Sequence, residues 1–279
     1  KGLVTGEIKE FKSQNVSNII QQGGTILKTA RCKEFTTPEG RKIAYDNMKA
    51  EGIDALVVIG GDGSLTGARV FAEEYDVPCI GLPGTIDNDI AGTDATIGFD
   101  TALQTAVEAI DKLRDTCSSH KRISVVEVMG RHCGDLAVCA AVSCGVEAVL
   151  VPEVAWDKEK VYADIKKSID AGKRHAILVV CENQTDVHQM AKEIEELTGL
   201  ETRATVLGHI QRGGCPTATD RVLASRMGAF ACELLKNGES GRCIGVKRGE
   251  LVHYDIIDCI NNMKHKFMQS TYDLAVSLK

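Results

Sequence analysis

No window of the sequence approaches 18 uninterrupted apolar residues, and the first five, Lys1 to Thr5, contain no apolar signal core. Neither a membrane span nor a signal peptide is therefore expected. Basic residues are also scarce: 33 Lys and Arg stand against 39 Asp and Glu, a formal charge of −6. That balance argues against general nucleic-acid binding and against an anionic membrane surface, so any anionic ligand must meet a local cluster of Arg and Lys. There are 11 cysteines but no C-x-x-C, and Cys79, Cys181 and Cys259 lie inside apolar runs. This speaks against a disulfide framework or a regularly spaced zinc site, and predicts reduced, mostly buried thiols of a cytoplasmic protein. Repeats, low-complexity tracts and disordered linkers are lacking too, which leaves domain boundaries hidden in ordinary loops.

What is present fits a globular chain: 279 residues with 43% hydrophobic and 26% charged content, enough for one large domain or two modest ones. Segments of helical period alternate with short β-branched runs, the pattern of βαβ units and a mostly parallel sheet. Helices are predicted over residues 16–22, 43–51, 101–114, 135–143, 158–172, 219–236 and 256–268, the last with Asp255 as N-cap. Strands are predicted over 55–59, fully buried, and over 77–80, 123–128, 148–151, 176–181, 201–207 and 243–246.

Chemistry concentrates where these strands end. The apolar run Val77-Pro-Cys-Ile80 leads into Gly81-Leu-Pro-Gly-Thr-Ile-Asp-Asn-Asp89, a tight stretch holding Thr85, Asp87 and Asp89. Ligands of open α/β sheets bind at such carboxyl ends. Two acids buried side by side need a metal, a phosphate or an Arg as partner. An EF-hand is excluded, because position 12 of such a loop is Gly98 rather than Glu. Strand 55–59 runs into Gly60-Gly-Asp-Gly-Ser64, with a helix predicted from near Leu65. This turn is neither a Walker A nor a G-x-G-x-x-G, yet unpaired amides at a helix start cradle anions, and Asp62 between glycines suits a Mg²⁺ ligand. Arg131, after strand 123–128, is a third candidate on the same rim, whereas His132 reads as a loop residue. Lys173-Arg-His175 enters strand 176–181 at its amino end, opposite that rim, and reads as a solvated patch or a second anion site.

Four motifs thus stand in order: Gly60-Gly-Asp-Gly-Ser64, Pro83-Gly-Thr-Ile-Asp-Asn-Asp89, Val128-Met-Gly-Arg131 and Gly208-His-Ile-Gln-Arg-Gly-Gly214. In order and spacing they closely resemble the bacterial-type, ATP-dependent 6-phosphofructokinase family, and the resemblance runs the length of the chain. It implies two Rossmann-like three-layer α/β domains with mostly parallel sheets and the active site in the cleft between them. Residues 1–98 plus 211–261 would form the ATP-binding domain, and 99–210 plus 262–279 the sugar-phosphate domain. The implied reaction is ATP-dependent phosphorylation of fructose 6-phosphate at the 1-hydroxyl, with Mg²⁺, in a cytoplasmic homotetramer.

By the same resemblance Asp87 is the general base, with Thr85 and Asp89 beside it. Asp62 helps hold Mg²⁺, and Arg131 stabilises charge on the transferred phosphoryl group. Met129, Gly130, Glu182, His209 and Arg212 match positions that hold the sugar phosphate. Arg122 and Arg203 match those reaching the 6-phosphate from a neighbouring subunit. Arg31 matches an ATP-phosphate Arg, Cys32 lies near the adenine, and Gly61, Gly63, Ser64 and Gly84 line the nucleotide. Members using pyrophosphate tend to carry Asp at the position of Gly63 and Lys at that of Gly84, so two glycines favour ATP. Arg114, Glu147, Lys173, Arg174 and His175 resemble the effector site for nucleotide diphosphate (ADP) or phosphoenolpyruvate, although Ser13-Gln-Asn-Val-Ser17 lacks the Arg and Tyr that relatives offer there.

A larger departure is at the front. Relatives begin with a strand, a Gly-rich phosphate loop and a helix that this sequence does not contain, so the parent is expected to be a kinase and this polypeptide alone weakly active or inactive. Pyrophosphate-dependent phosphofructokinase and a non-catalytic regulatory subunit are the alternatives. An NAD or lipid kinase sharing only Gly-Gly-Asp-Gly leaves the other three motifs unexplained.

Overall fold

The computed structural model describes residues 1–278; Lys279, the last residue of the expected second domain, lies outside them. The chain forms two compact units, one of Lys1–Thr85, Ile90–Ile97 and Cys215–His265, the other of Ile86–Asp89, Gly98–Gly214 and the segment from Lys266 onward. These bounds differ from the expected ones. Residues 86–89 belong to the second unit because Ile86 packs against Phe99, Ala102, Met129 and Leu136. Residues 211–214 also fall in the second unit, and 262–265 in the first.

The first unit opens with helices α1 (Gly2–Thr5) and α2 (Pro38–Ala50). α2 starts five residues ahead of its expected position. Pro38 supplies a preset φ and no unpaired amide, and Thr37 Oγ1 accepts from the Gly40 amide at 3.1 Å. Residues 16–22 are not the expected helix but turns following a 3₁₀ turn at Ser13–Asn15. Val16 and Ile20 are 50% and 57% exposed, so no apolar face is buried to support a helix, and Asn18 adopts φ 57°.

β1 (Leu56–Gly60) leads into α3 (Asp62–Tyr75), which begins at Asp62 rather than near Leu65, and β2 (Cys79–Pro83) follows. β1 is not fully buried: Val57 and Ile59 are 40% and 52% exposed, because β1 is the edge strand of the sheet.

The second unit carries α4 (Phe99–His120), β3 (Ile123–Val128), α5 (Asp135–Cys144), β4 (Ala148–Leu150), α6 (Lys158–Asp170), β5 (Ala176–Cys181), α7 (Val187–Thr198) and β6 (Thr202–Val206). Its four strands are all parallel, in the order β4-β5-β3-β6. Alternate residues of β3 and β5 face opposite ways. Val126, Val128, Ile177 and Val179 pack on Ala106 and Ile110 of α4 and Ala137 and Ala141 of α5. Val125, Leu178 and Val180 pack on Ile165 of α6 and Met190 and Ile194 of α7. α7 has no counterpart among the expected elements.

The chain then returns to the first unit as α8 (Ala218–Lys236), β7 (Arg242–Lys247) and β8 (Glu250–Asp255). β7 and β8 form an unexpected antiparallel hairpin, turned at Arg248 and Gly249 with φ 51° and 84°, the signs a two-residue type I′ turn demands. The sheet order is β1-β2-β7-β8, parallel except at β8. Leu223, Met227 and Ala231 of α8 cover one face against Ile80, Leu82 and Ile244. α3 lies on the other, and Gly81 permits its approach: a Cβ there would stand 2.5 Å from Leu65 Cδ2. The helix expected over 256–268 is only a wide turn at Asp258–Asn262, opened by Asp255 accepting from the Ile257 amide at 2.8 Å. α9 (Gln269–Ser277) closes the chain and packs with α5 in the second unit.

Candidate active site

Three loops leave the carboxyl ends of the adjacent strands β5, β3 and β6, and hydrogen bonds tie them together. After β3, Gly130 has φ 143°, a conformation only glycine takes easily, and a Cβ there would stand 2.3 Å from Cys133 O. Arg131 follows in the left-handed region at φ 56°. Glu182, the first residue after β5, fixes this backbone: its Oε1 accepts from the Arg131 amide at 2.9 Å and the Gly130 amide at 3.3 Å. Gln211, fully buried in the loop after β6, accepts from the Met129 amide at 3.3 Å and donates to Gly208 O at 3.0 Å. Met129, expected at the sugar phosphate, is 6% exposed, and its side chain packs with Phe99, Ala102 and Leu136. His209 and Arg212 are exposed on the same loop as Gln211.

Asp87 reaches this group through a buried anchor. Asn88, at φ 55°, donates to Asp135 Oδ2 at 3.0 Å, while Asp135 Oδ1 accepts from the Met268 amide at 3.1 Å. Asp135 is the fully buried first residue of α5. With Asn88 held inward, its neighbours Asp87 and Asp89 stay half-buried. Burial, then the charges of Asp89 and Glu182, push the Asp87 carboxyl up to about 6, against the opposing pull of Arg212 and Arg131. Asp89 Oδ1 is buried without a hydrogen-bond partner among the described residues. The second unit therefore brings together Asp87, Asp89, Arg131, Glu182 and Arg212.

The first unit holds the Gly60 to Ser64 turn. Gly61 is the N-cap of α3 with no side-chain cap, its carbonyl accepts from the Ser64 and Leu65 amides at 2.9 and 3.1 Å, and Asp62, Gly63 and Ser64 are exposed. A Cβ at Gly63 would meet nothing within 4 Å, so open space faces the turn. At Gly84 a Cβ would instead stand 2.9 Å from Ile59 Cγ2 and 3.3 Å from Gly60 N, so the end of β1 itself crowds a side chain there. Thr85 lies beside Gly61, whose Cβ would be 3.5 Å from Thr85 Cβ, and the Thr85 carbonyl accepts from Thr96 Oγ1 at 2.6 Å. Phe35 rests against Gly67 of α3, which brings the chain from Arg31 alongside that helix. Arg31 is exposed, Cys32 Sγ donates to Glu34 Oε2 at 3.4 Å, and neither bonds to residues 60–64 among the described residues.

The remaining candidates stand at the opposite, amino edge of the second sheet. Arg122 precedes β3 and Arg203 is the second residue of β6. Six strand residues at about 3.3 Å each separate them by roughly 20 Å from the loops at the carboxyl edge. Glu147 Oε1 pairs with Lys173 Nζ at 2.7 Å while its Oε2 accepts from the Ile177 amide at 2.5 Å. Arg114 donates to the last carbonyls of α5, Cys144 O and, at 3.2 Å, Gly145 O. Arg174 is exposed and His175 half-buried beside them.

A desolvated carboxylate within electrostatic reach of two guanidinium groups, beside the carboxyl edge of a parallel sheet, suits proton transfer next to a phosphate, the chemistry of an α/β phosphotransferase. Comparison with known proteins narrows that class. Residues 1–235 match the phosphofructokinase family. The ATP-dependent 6-phosphofructokinase of Tolumonas auensis is 61% identical over 274 residues, covering 98% of this chain and 85% of that protein. Its counterpart in Haemophilus influenzae is 54% identical over 279 residues, covering 100% and 87%. The solved phosphofructokinase of Saccharomyces cerevisiae superposes with a TM-score of 0.86 at 33% identity, over all of this chain and 43% of that one. A pyrophosphate-dependent phosphofructokinase from Marinobacter aquaeolei superposes with a TM-score of 0.81 at 21% identity, over 96% of this chain and 76% of that one, a likeness of fold alone. The chain belongs to the phosphofructokinase family.

Three residues that hold the site in place escape the sequence reading: Asn88, Asp135 and Gln211. Asn88 had a signal, an Asn between two Asp in a glycine-rich stretch, the residue most at ease at positive φ after glycine. Asp135 and Gln211 act on partners 47 and 82 positions away, which no local pattern marks.

Proposed function

We propose that this chain catalyses transfer of the γ-phosphoryl group of ATP to the 1-hydroxyl of fructose 6-phosphate, giving fructose 1,6-bisphosphate. The observation that carries the proposal is Asp87, half-buried and within electrostatic reach of Arg131 and Arg212. Burial raises its affinity for a proton while the two guanidinium groups keep it ionised near neutral pH, the balance a general base needs. In this reading Asp87 takes the hydroxyl proton, Arg131 faces the charge on the phosphoryl oxygens, and Glu182, Arg212 and His209 hold the sugar phosphate with the Gly130 backbone. Little covalent chemistry is asked of the protein, since phosphoryl transfer rests on positioning and charge stabilisation.

On the donor side, the exposed turn at Gly61, Gly63 and Ser64 suits a nucleotide phosphate, with Gly84 keeping the end of β1 clear and Arg31 and Cys32 toward the adenosine. Asp62, an exposed carboxylate at the start of α3, fits Mg²⁺, which is held by one or two carboxylates plus phosphate oxygens. When bound, Mg²⁺ supplies neutralisation of the β- and γ-phosphate charge. The 20 Å offset of Arg122 and Arg203 supports their reaching a neighbouring copy's 6-phosphate in a homotetramer. The Arg114, Glu147, Lys173, Arg174 and His175 cluster would take ADP or phosphoenolpyruvate as effector. The setting is the cytoplasm.

The donor is decided by incubating the chain with fructose 6-phosphate, Mg²⁺ and either ATP or pyrophosphate. Whatever bisphosphate forms is expected with ATP and not with pyrophosphate. Turnover with pyrophosphate alone contradicts the proposal, and calorimetric binding of both substrates without turnover, in a chain preceded by the strand, Gly-rich loop and helix with which relatives begin, points to a regulatory subunit.

A further inference from the structure

At the amino edge of the second sheet the pairing register sets Ile123 opposite Thr202 and Ser124 opposite Arg203, which places Arg122 and Arg203 close together at the strand entries. Two guanidinium groups so placed repel one another, yet both turn onto a single carboxylate. Glu201 Oε2 accepts from Arg122 Nε at 2.5 Å and Glu201 Oε1 from Arg203 Nη2 at 2.5 Å. The backbone under this carboxylate is itself fixed, because the Ile123 amide donates to Glu201 O at 3.0 Å. The Arg122 guanidinium, with Arg203 beyond it, holds the Glu201 carboxyl below the usual carboxylate range, so Glu201 is the charged bridge at neutral pH.

Each arginine spends one edge of its guanidinium on Glu201. Five N–H donors per guanidinium leave several on each side chain for another acceptor. The trio has a net charge of +1, is open to solvent, with Arg203 69% exposed, and is stiffened at its centre. That is the form of a receiver for a tetrahedral dianion brought by another molecule.

We propose that Glu201 is a positioning residue which aligns Arg122 and Arg203 as a pair of prongs for a phosphate monoester dianion held by a neighbouring copy of the chain. This rests on the reading of Arg122 and Arg203 as ligands of the 6-phosphate. Removing the Glu201 charge restores the repulsion between the arginines and frees both side chains, so the phosphate must order them on binding. The loss falls on ground state and transition state alike, because the 6-phosphate is remote from the reacting hydroxyl.

Steady-state kinetics of Glu201→Gln, Glu201→Asp, Arg203→Ala and the double variant Glu201→Gln/Arg203→Ala test this. Glu201→Gln is expected to raise KM for fructose 6-phosphate about tenfold with kcat and KM for ATP within about twofold. Glu201→Asp, which keeps the charge, is expected to recover most of that loss, and the double variant to be little worse than Arg203→Ala. If Arg203→Ala raises KM but Glu201→Gln leaves it unchanged or lowers it, the Glu201 role falls while the phosphate assignment stands. If Arg203→Ala leaves KM unmoved, the assignment falls and the role with it. Equal impairment of Gln and Asp, or failure of Glu201→Gln to fold while Asp folds with unimproved KM, also overturns the role.

Discussion

Asp87→Ser is expected to lower kcat by about 10²–10⁴, the range lost when a positioned base is removed, and to leave KM for fructose 6-phosphate within about threefold. In free energy that is roughly 3–5 kcal/mol of transition-state stabilisation. The hydroxyl of Ser fits in the space of the carboxylate but accepts a proton poorly, so binding survives and proton removal does not. In the unaltered chain the same group is expected to set the acidic limb of kcat/KM. Its carboxyl, raised to about 6, protonates as pH falls through that value, so the rate is expected to be about half its plateau there, to approach a tenfold fall per pH unit from roughly one unit below, and to level off roughly one unit above. A kcat within threefold of the unaltered chain would remove Asp87 from its role.

Arg131→Ala is the second large effect, a fall in kcat of about 10²–10³, comparable to deleting one preorganised donor to a developing negative charge. Its backbone sits at φ 56° in the left-handed region, but Arg and Ala both carry a Cβ, so the substitution adds no backbone strain. The loss is therefore electrostatic. It has a signature that a folding defect lacks: Arg131 holds the Asp87 carboxyl down, so the acidic limb of kcat/KM is expected to move to higher pH in Arg131→Ala. Ionisation of the substrate's own phosphate would not move with it. A kcat drop with an unshifted limb means that Arg131 does not face Asp87.

The alternation of strand and helix was legible because parallel strands flanked by helices leave apolar runs such as Ala176 to Cys181, and because Gly or Asp marks most of the junctions. The positions of Glu182 and of Gly208 to Arg212 at strand exits followed from the same pattern. Burial of β1 did not follow, since an edge strand and a central strand have the same composition when viewed alone, and the exposure of Val57 and Ile59 depends on neighbours. Residues 16–22 show the converse error. An apolar spacing implies a helix only where a surface exists to cover it, and Val16 and Ile20 have none among the described residues. α7 was legible in principle, for Val187, Met190, Ala191 and Ile194 recur at helical spacing behind the capping Asp186. The β7–β8 hairpin was harder, as Arg248 adopts a positive φ that its residue type does not signal. Within the site, sequence picks out the half-buried Asp87 and the exposed Arg131, His209 and Arg212 of the strand-exit loops. The groups that hold their backbones, Asn88 on Asp135 and Gln211 on Met129, depend on contacts between distant segments and come only from the structure.

The central claim is that Asp87, Arg131 and Glu182 of one copy work with Arg122 and Arg203 of another. Mixing Asp87→Ser and Arg203→Ala chains in equal amounts, allowing subunits to exchange and assaying near the KM of the unaltered chain measures it directly. Each parent is defective at every site. Random pairing gives sites that draw an intact Asp87 from one chain and an intact Arg203 from the other, so recovery to roughly a quarter of full activity is expected. Activity that stays at the average of the two parents, after exchange has been verified, would contradict a site shared between copies.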